Sequence, residues 1–167
     1  MCTDSLGGVF ITWQDKRGGV DDDIYGTHVN NQHEIISQGV GVPIVVEVGN
    51  QNAKTIEYAG NNEAFIAWAD FREGANANIY GQRLNVNMSG SFQENGFPIA
   101  STDEQELKPR ATFVNNNTSF VAWKKGDENS RILYQFINEE GLVFTDPKLV
   151  SDSDALQTAP RVKRNYL

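Results

Sequence analysis

Two short stretches repeat a set of side chains able to do chemistry: Trp13-x-Asp15-x-Arg17 and Trp68-x-Asp70-x-Arg72, followed respectively by Tyr25 and Tyr80. A carboxylate and a guanidinium two residues apart on a strand share one face. There they serve either as an ion pair or as part of an acid-base set. The sequence favours the ion pair. A third copy around Trp123 carries Lys125 and Asp127 in those places, with the signs exchanged. Ion pairing tolerates that exchange, whereas a general acid or base does not.

Asp21, Asp22 and Asp23 offer a second chemistry, oxygen ligands for Ca²⁺, a hard cation that takes six to eight of them. Their spacing is not that of an EF-hand loop, and calcium is the one cofactor these residues suggest. His28 and His33 stand apart from each other and from the single Cys2, so zinc spacing is missing and both read as exposed strand or loop residues. The chain contains no Gly-x-Ser-x-Gly elbow, no phosphate loop and no Ser-x-Asp-x-Gly-x-x-Trp box. Carboxylates are too numerous for any two to be singled out as a glycosidase pair. The sequence therefore predicts no catalytic residue.

The elements that position these side chains follow from a repeat. Trp13, Trp68 and Trp123 stand 55 residues apart, inside "GVFITW", "EAFIAW" and "TSFVAW". Each copy holds four short runs of β-branched and aromatic residues with period-2 alternation, divided by Gly, Asn and Asp clusters. These predict strands A (Thr55 to Ala59, Arg110 to Val114), B (Phe65 to Ala69, Phe120 to Lys124), C (Asn78 to Leu84, Ile132 to Ile137) and D (Pro98 to Ser101, Lys148 to Ser151). Four antiparallel strands repeated every 50 or so residues predict an all-β chain of β-propeller blades. The blades are expected at 1–54, 55–108 and 109–157. The asparagines of "GNNEA" and "NNNTS" suit tight A–B hairpins, because Asn tolerates φ > 0. Sequons stand at Asn87, Asn116 and Asn117.

The pattern Trp-x-Asp-x-Arg, a Gly-bearing loop, then Asp/Asn-Ile-Tyr-Gly resembles the propeller repeats of large secreted bacterial proteins, often written WxDxRxGxxDIYxQ. The resemblance covers essentially the whole chain, with the third copy departing at Lys125, Asp127 and "ILYQ". It implies a secreted or cell-surface, non-enzymatic scaffold or interaction module with a protein or glycan ligand. Carbohydrate binding is the alternative, and a fragment of a sialidase-like hydrolase a more distant one. It also implies structural roles for Trp13, Trp68, Trp123, Tyr25, Tyr80 and Tyr134, as fillers between blades, and for Asp15, Arg17, Asp70 and Arg72, as clamps.

Composition narrows the partners. The chain has 167 residues, 22 acidic against 14 basic, and net charge -8. That charge repels phosphate backbones, so nucleic acid is an unsuitable partner. No apolar stretch approaches the roughly 20 residues of a membrane helix. Propeller topology puts the B–C and D–A loops at one end, where Asp103, Glu104, Glu106, Asp152 and Asp154 predict an acidic rim for a basic partner, with Phe71 as the aromatic that would meet a glycan.

Three blades do not close a ring, since closed propellers use about four to eight. Met1 aligns with Ile56 and Ala111, inside strand A, and residues 158–167 repeat "LKPRATFVNN" as the first strand of a further blade. The expected object is a partial ring, completed by the rest of a longer chain or by a second copy. In the second case a six-bladed dimer forms, in which each copy supplies strand A to the other.

Overall fold

Among the described residues the apolar runs around the three tryptophans fall in strands. In the computed structural model, which describes residues 1–37, 39–115, 118–141, 146–153 and 155–163, there are twelve strands. The first sheet contains β1 (Cys2–Thr3), β2 (Val9–Asp15), β3 (Asp23–Val29) and β4 (Val42–Val45). The second contains β5 (Gln51–Gly60), β6 (Glu63–Asp70), β7 (Asn78–Leu84) and β8 (Phe97–Ala100). The third contains β9 (Glu106–Asn115), β10 (Thr118–Lys125), β11 (Arg131–Asn138) and β12 (Lys148–Leu149). Each sheet is antiparallel, with its strands side by side in chain order. The described residues form no closed ring.

Local chemistry explains the tightest connection. Asn61 and Asn62 take φ of 50° and 59° between β5 and β6, and Gly60 pairs with Glu63 across them. Two successive left-handed residues make the type I′ turn that matches strand twist. The equivalent Asn116 and Asn117 lie outside the described residues.

The sheets stack face to face through two apolar layers. Phe10, Ile24, Ile44 and Val45 of the first sheet meet Ile56, Ile66, Trp68, Tyr80 and Leu84 of the second. Phe65, Ala67, Ile79 and Ile99, from the opposite face of the second sheet, meet Ala111, Val121, Trp123 and Ile137 of the third. The middle sheet is thus covered on both sides. This is why β7 is buried at all seven positions and β6 at seven of its eight, with "AFIAWA" apolar throughout rather than alternating.

Strand bounds differ from the expected ones in an informative way. Strands β5 and β9 start at Gln51 and Glu106, four residues ahead of the apolar runs, so the junctions between sheets lie at 46–50 and 101–105. Both starting residues are polar yet buried, and polarity concealed them from a hydrophobic pattern. β12 is only Lys148–Leu149, and residues 158–163 form no strand, while 164–167 lie outside the described residues.

Tyr134 is a correction. Trp13 pairs with Tyr25 and Trp68 with Tyr80, but Trp123 pairs with Leu133, and Tyr134 sits opposite Ala122. The β10–β11 hairpin is two residues shorter than its counterparts, closing at Lys125 and Arg131 where the others close at Asp15 with Asp23 and Asp70 with Asn78. Shortening by two preserves the face of the tryptophan's partner. Tyr134 is one residue beyond that partner, and a single-residue offset turns a side chain to the other face. It packs there against Phe120 and Phe136, with ring centroids 5.4 and 6.1 Å away, on the face opposite to the layer shared with the second sheet.

Candidate functional site

Strand alternation sends Trp68, Asp70 and Arg72 to one side of the end of β6, and what they do there is visible bond by bond. The Trp68 indole Nε1 donates to Asp70 Oδ2 at 2.7 Å. The Arg72 guanidinium donates to both Asp70 oxygens, at 3.0 and 2.7 Å, and its backbone amide donates to Oδ1. Its remaining reach goes to the Asn95 carbonyl at 2.9 Å, while its Cζ lies 4.1 Å from the centre of the Tyr80 ring. Charge-assisted, bidentate bonds combined with a cation–π contact are among the stronger polar arrangements available to a sheet.

The first sheet repeats the set. Trp13 Nε1 donates to Asp15 at 2.9 Å, the Arg17 amide and guanidinium bond the same carboxylate, Arg17 reaches the Val40 carbonyl at 2.8 Å, and its Cζ is 4.1 Å from the Tyr25 ring centre. Arg17 and the Trp13 indole hold the Asp15 carboxyl well below the ordinary aspartate range. The loop glycines Gly41 and Gly96 carry φ of 77° and 84°, and a Cβ on either would run into the ring of Trp13 or Trp68. Trp, Asp, Arg, Tyr and Gly therefore make one clamp joining strand B to strand C and to the loop before strand D.

The third sheet rebuilds the clamp from other parts. The Trp123 indole donates to Glu106, which comes from β9 rather than from the end of β10. Lys125 lies 3.4 Å from Glu104 and 3.9 Å from Glu106. The expected exchanged pair is corrected: Asp127 faces Lys124 at 3.6 Å. Glu106 is also corrected as a rim residue. It is 1% exposed, accepts a bond from Thr102 at 2.9 Å, and burial pushes its carboxyl above the ordinary glutamate range.

The three candidate calcium ligands go separate ways. Asp21 accepts from the Gly49 amide at 3.1 Å, Asp22 lies 3.8 Å from Lys16, and Asp23 is buried, which raises its pKa. Among the described residues no three His, Cys, Asp or Glu side chains group as metal ligands. Sharing a sequence stretch did not bring the three carboxylates together around one point.

The B–C loops and the sheet junctions do share one end. Gln51 N–H donates to the Asp22 carbonyl, Phe71 N–H to that of Asn50, Glu106 N–H to that of Ala77 and Gly126 N–H to that of Gln105. The Asn76 side chain also donates to the Asp103 carbonyl. Asp103, Glu104 and Asp152 are exposed at this end, Phe71 is half-buried in the first junction, and Asp154 lies outside the described residues. The rim is acidic, with Lys125 the basic side chain that approaches Glu104.

Several polar partnerships escaped the sequence. His28 is corrected from exposed to buried: its Nε2 lies 2.8 Å from Asp4 Oδ2, and its ring packs on Phe10 at 4.6 Å. Glu63 accepts from Arg83. Glu73 takes the Tyr80 hydroxyl at 2.7 Å and the Asn78 amide at 2.8 Å, and burial together with that bond raises the Tyr80 phenol's pKa. Cys2 has its thiol pushed up to about 12, chiefly by burial. At the outer strands, a cleft of about 530 Å³ opens between β4 and the β7–β8 loop, lined by Val42, Ile44, Leu84, Met88 and Phe92. Among the described residues no helix is long and apolar enough to cross a membrane. No family model, curated protein or solved structure matches the chain.

Proposed function

We propose that the chain is a segment of a β-propeller that works as a non-enzymatic interaction module, docking a basic protein segment on its junction-loop end. One observation carries this reading: the charges of the repeated motif are consumed inside the first two sheets, whereas the unrepeated carboxylates Asp103, Glu104 and Asp152 remain exposed at the junction-loop end. Side chains spent on indole and guanidinium bonds are held in their geometry. Exposed loop acids meet a ligand from solvent, and opposite charge there speeds encounter and selects the partner. The sequence resemblance to repeats of secreted proteins supports an extracellular setting.

The test is titration with a short polylysine peptide. Binding is expected to weaken steeply with salt, and the triple change Asp103→Asn, Glu104→Gln, Asp152→Asn is expected to weaken it about tenfold, or roughly 1.4 kcal/mol. Binding insensitive to both salt and the triple change would overturn the basic-partner reading. Binding to a glycan array that Phe71→Ala abolishes would replace it with carbohydrate recognition.

A further inference from the structure

The β2–β3 and β6–β7 hairpins carry the same clamp but differ beside it. In the second sheet Glu73, the residue after Arg72, is held by three donors: the Tyr80 hydroxyl at 2.7 Å, the Asn78 amide at 2.8 Å and the Ser101 hydroxyl at 3.1 Å. One repeat earlier, the positions of Glu73, Tyr80, Asn78 and Ser101 are taken by Gly18, Tyr25, Asp23 and Val46. The acid has become a glycine, the amide that donated to it has become an acid, and the hydroxyl has become a valine. A site that holds a carboxylate in the second sheet is thus reversed in sign in the first.

Beside Gly18 lies a second cleft, of about 440 Å³, bounded by Gly18, Val20 and Asp21 of the B–C loop, by Asp23 at the start of β3, and by Val46, Glu47 and Val48 of the junction. Asp23 is only 4% exposed, and its Oδ2 lies 3.1 Å from where a Cβ on Gly18 would stand, so it faces the space that a side chain at position 18 would fill. Its carboxylate takes the Glu47 amide, as Asn78 takes the amide of Thr102 at 3.2 Å. The basic side chains of the same loop go elsewhere, Lys16 to Asp22 and Arg17 to Asp15. Asn78 shows that a neutral side chain performs the structural duty of this position. The charge on Asp23 is surplus to that duty and works against the fold, since Asp23 is buried and stands directly across the hairpin from Asp15.

The other walls define what such a carboxylate would meet. Val20, Val46 and Val48 are exposed, three aliphatic side chains around one acid-lined opening. The two further carboxylates are fixed in place, Asp21 by the Gly49 amide at 3.1 Å and Glu47 by the Asn95 side-chain amide at 2.9 Å. An aliphatic stem tipped by a compact positive charge satisfies both kinds of surface, and that is the form of a lysine side chain. The position faces solvent even where a neighbouring sheet is seated, because Glu73 is exposed although the first sheet covers Trp68 and Tyr80 in its own hairpin.

We infer that the Gly18 cleft receives a lysine side chain of the docked segment, its ammonium on Asp23 and its methylenes against Val20, Val46 and Val48. The inference rests on the basic-partner reading and adds an anchor to it. The exposed acids Asp103, Glu104 and Asp152 attract positive charge from a distance, whereas the cleft selects one lysine by a desolvated, charge-assisted bond.

The experiment grafts the second sheet's arrangement onto the first. Gly18→Glu with Asp23→Asn reproduces the Glu73–Asn78 pair, fills the cleft and leaves the net charge at -8. Gly18 is not in the left-handed region, so its backbone accepts a side chain. Two probes are titrated: n-butylammonium, which is the lysine side chain alone, followed through the valine methyl signals by NMR, and the short polylysine peptide. The parent is expected to show saturable butylammonium shifts at Val20, Val46 and Val48. The paired change is expected to abolish them and to weaken polylysine binding about tenfold. Asp23→Asn alone, which keeps the β circular dichroism, is expected to abolish the shifts as well and decides the matter if the paired variant does not fold. Shifts absent in the parent, or unchanged by Asp23→Asn, overturn the lysine cleft. Polylysine binding that weakens on the triple change at Asp103, Glu104 and Asp152 but not on the paired change also overturns it, while the basic-partner reading stands. That reading fails by a different result, polylysine binding insensitive to salt and to the triple change, and the butylammonium titration then decides the cleft by itself.

Discussion

The second and third sheets solve one problem with different residues. Both bury a tryptophan completely and both give its indole N–H a carboxylate, but Asp70 sits two residues along the same strand and Glu106 arrives from the neighbouring strand β9. The second sheet adds Arg72, bidentate on Asp70 and stacked on Tyr80. The third has Leu133 opposite its tryptophan and a lysine with two glutamates nearby. What persists between them is the buried indole and its acceptor. The guanidinium and the tyrosine ring are one way of holding that acceptor and can be exchanged for another. A set that tolerates such replacement behaves as packing, since a reacting group would have to keep its position.

The comparison breaks most severely at the tryptophan. Trp68→Ala removes a side chain at 0% exposure between two sheets and is expected to cost about 4 kcal/mol in urea unfolding, through lost burial and the cavity left behind. Asp70→Ala follows at about 3 kcal/mol, because it leaves an indole N–H and a mostly buried guanidinium without their acceptor. Asp15→Ala in the first sheet, where the Arg17 side chain is 43% exposed, is expected to move the unfolding midpoint far less. Equal effects at Asp15 and Asp70 would show that burial does not set the clamp's strength. Gly96→Ala is expected to cost about 2 kcal/mol, since it combines a positive φ with a Cβ driven into the Trp68 ring.

The smallest effect sharpens the third sheet. Burial raises the folded-state pKa of Glu106 above its unfolded value, even though Thr102, Lys125 and Trp123 pull the other way. The folded state therefore holds that proton more tightly. The stabilisation it brings is fully present below the ordinary glutamate range and is lost as pH rises through the folded value. Glu106→Gln, which keeps an oxygen acceptor for Trp123, is expected to gain stability relative to the parent as pH climbs through that window. Gln51, buried at the same place in the second sheet, indicates that a neutral amide fits. A stability difference flat with pH would mean that Glu106 titrates alike in both states.

Much of this fold was legible in the sequence. The 55-residue period, the short apolar runs such as "FIAW" and the paired asparagines pointed to three antiparallel sheets, the hairpin turn and the end at which loops and junctions meet. Glu106 was missed because a hydrophobic pattern assigns acids to loops, and its burial depends on a partner 17 residues away. His28 and Asp4 are likewise joined only by pairing across the first sheet. Tyr134 carried a warning that was readable. It follows its tryptophan by 11 residues where Tyr25 and Tyr80 follow theirs by 12, and on a strand one residue is the difference between two faces. Asp103, Glu104 and Asp152 are exposed as expected and Glu106 is not, while Asp154 lies outside the described residues.

The central claim is that the repeated acid exists to receive an indole N–H, so the most direct measurement follows the three tryptophan indole protons by NMR hydrogen exchange. Glu106→Ala is expected to speed exchange at Trp123 and leave Trp68 unchanged, with Asp70→Ala doing the converse and Asp127→Ala affecting neither. Loss of protection at Trp123 on removing Asp127, with none on removing Glu106, would contradict the account.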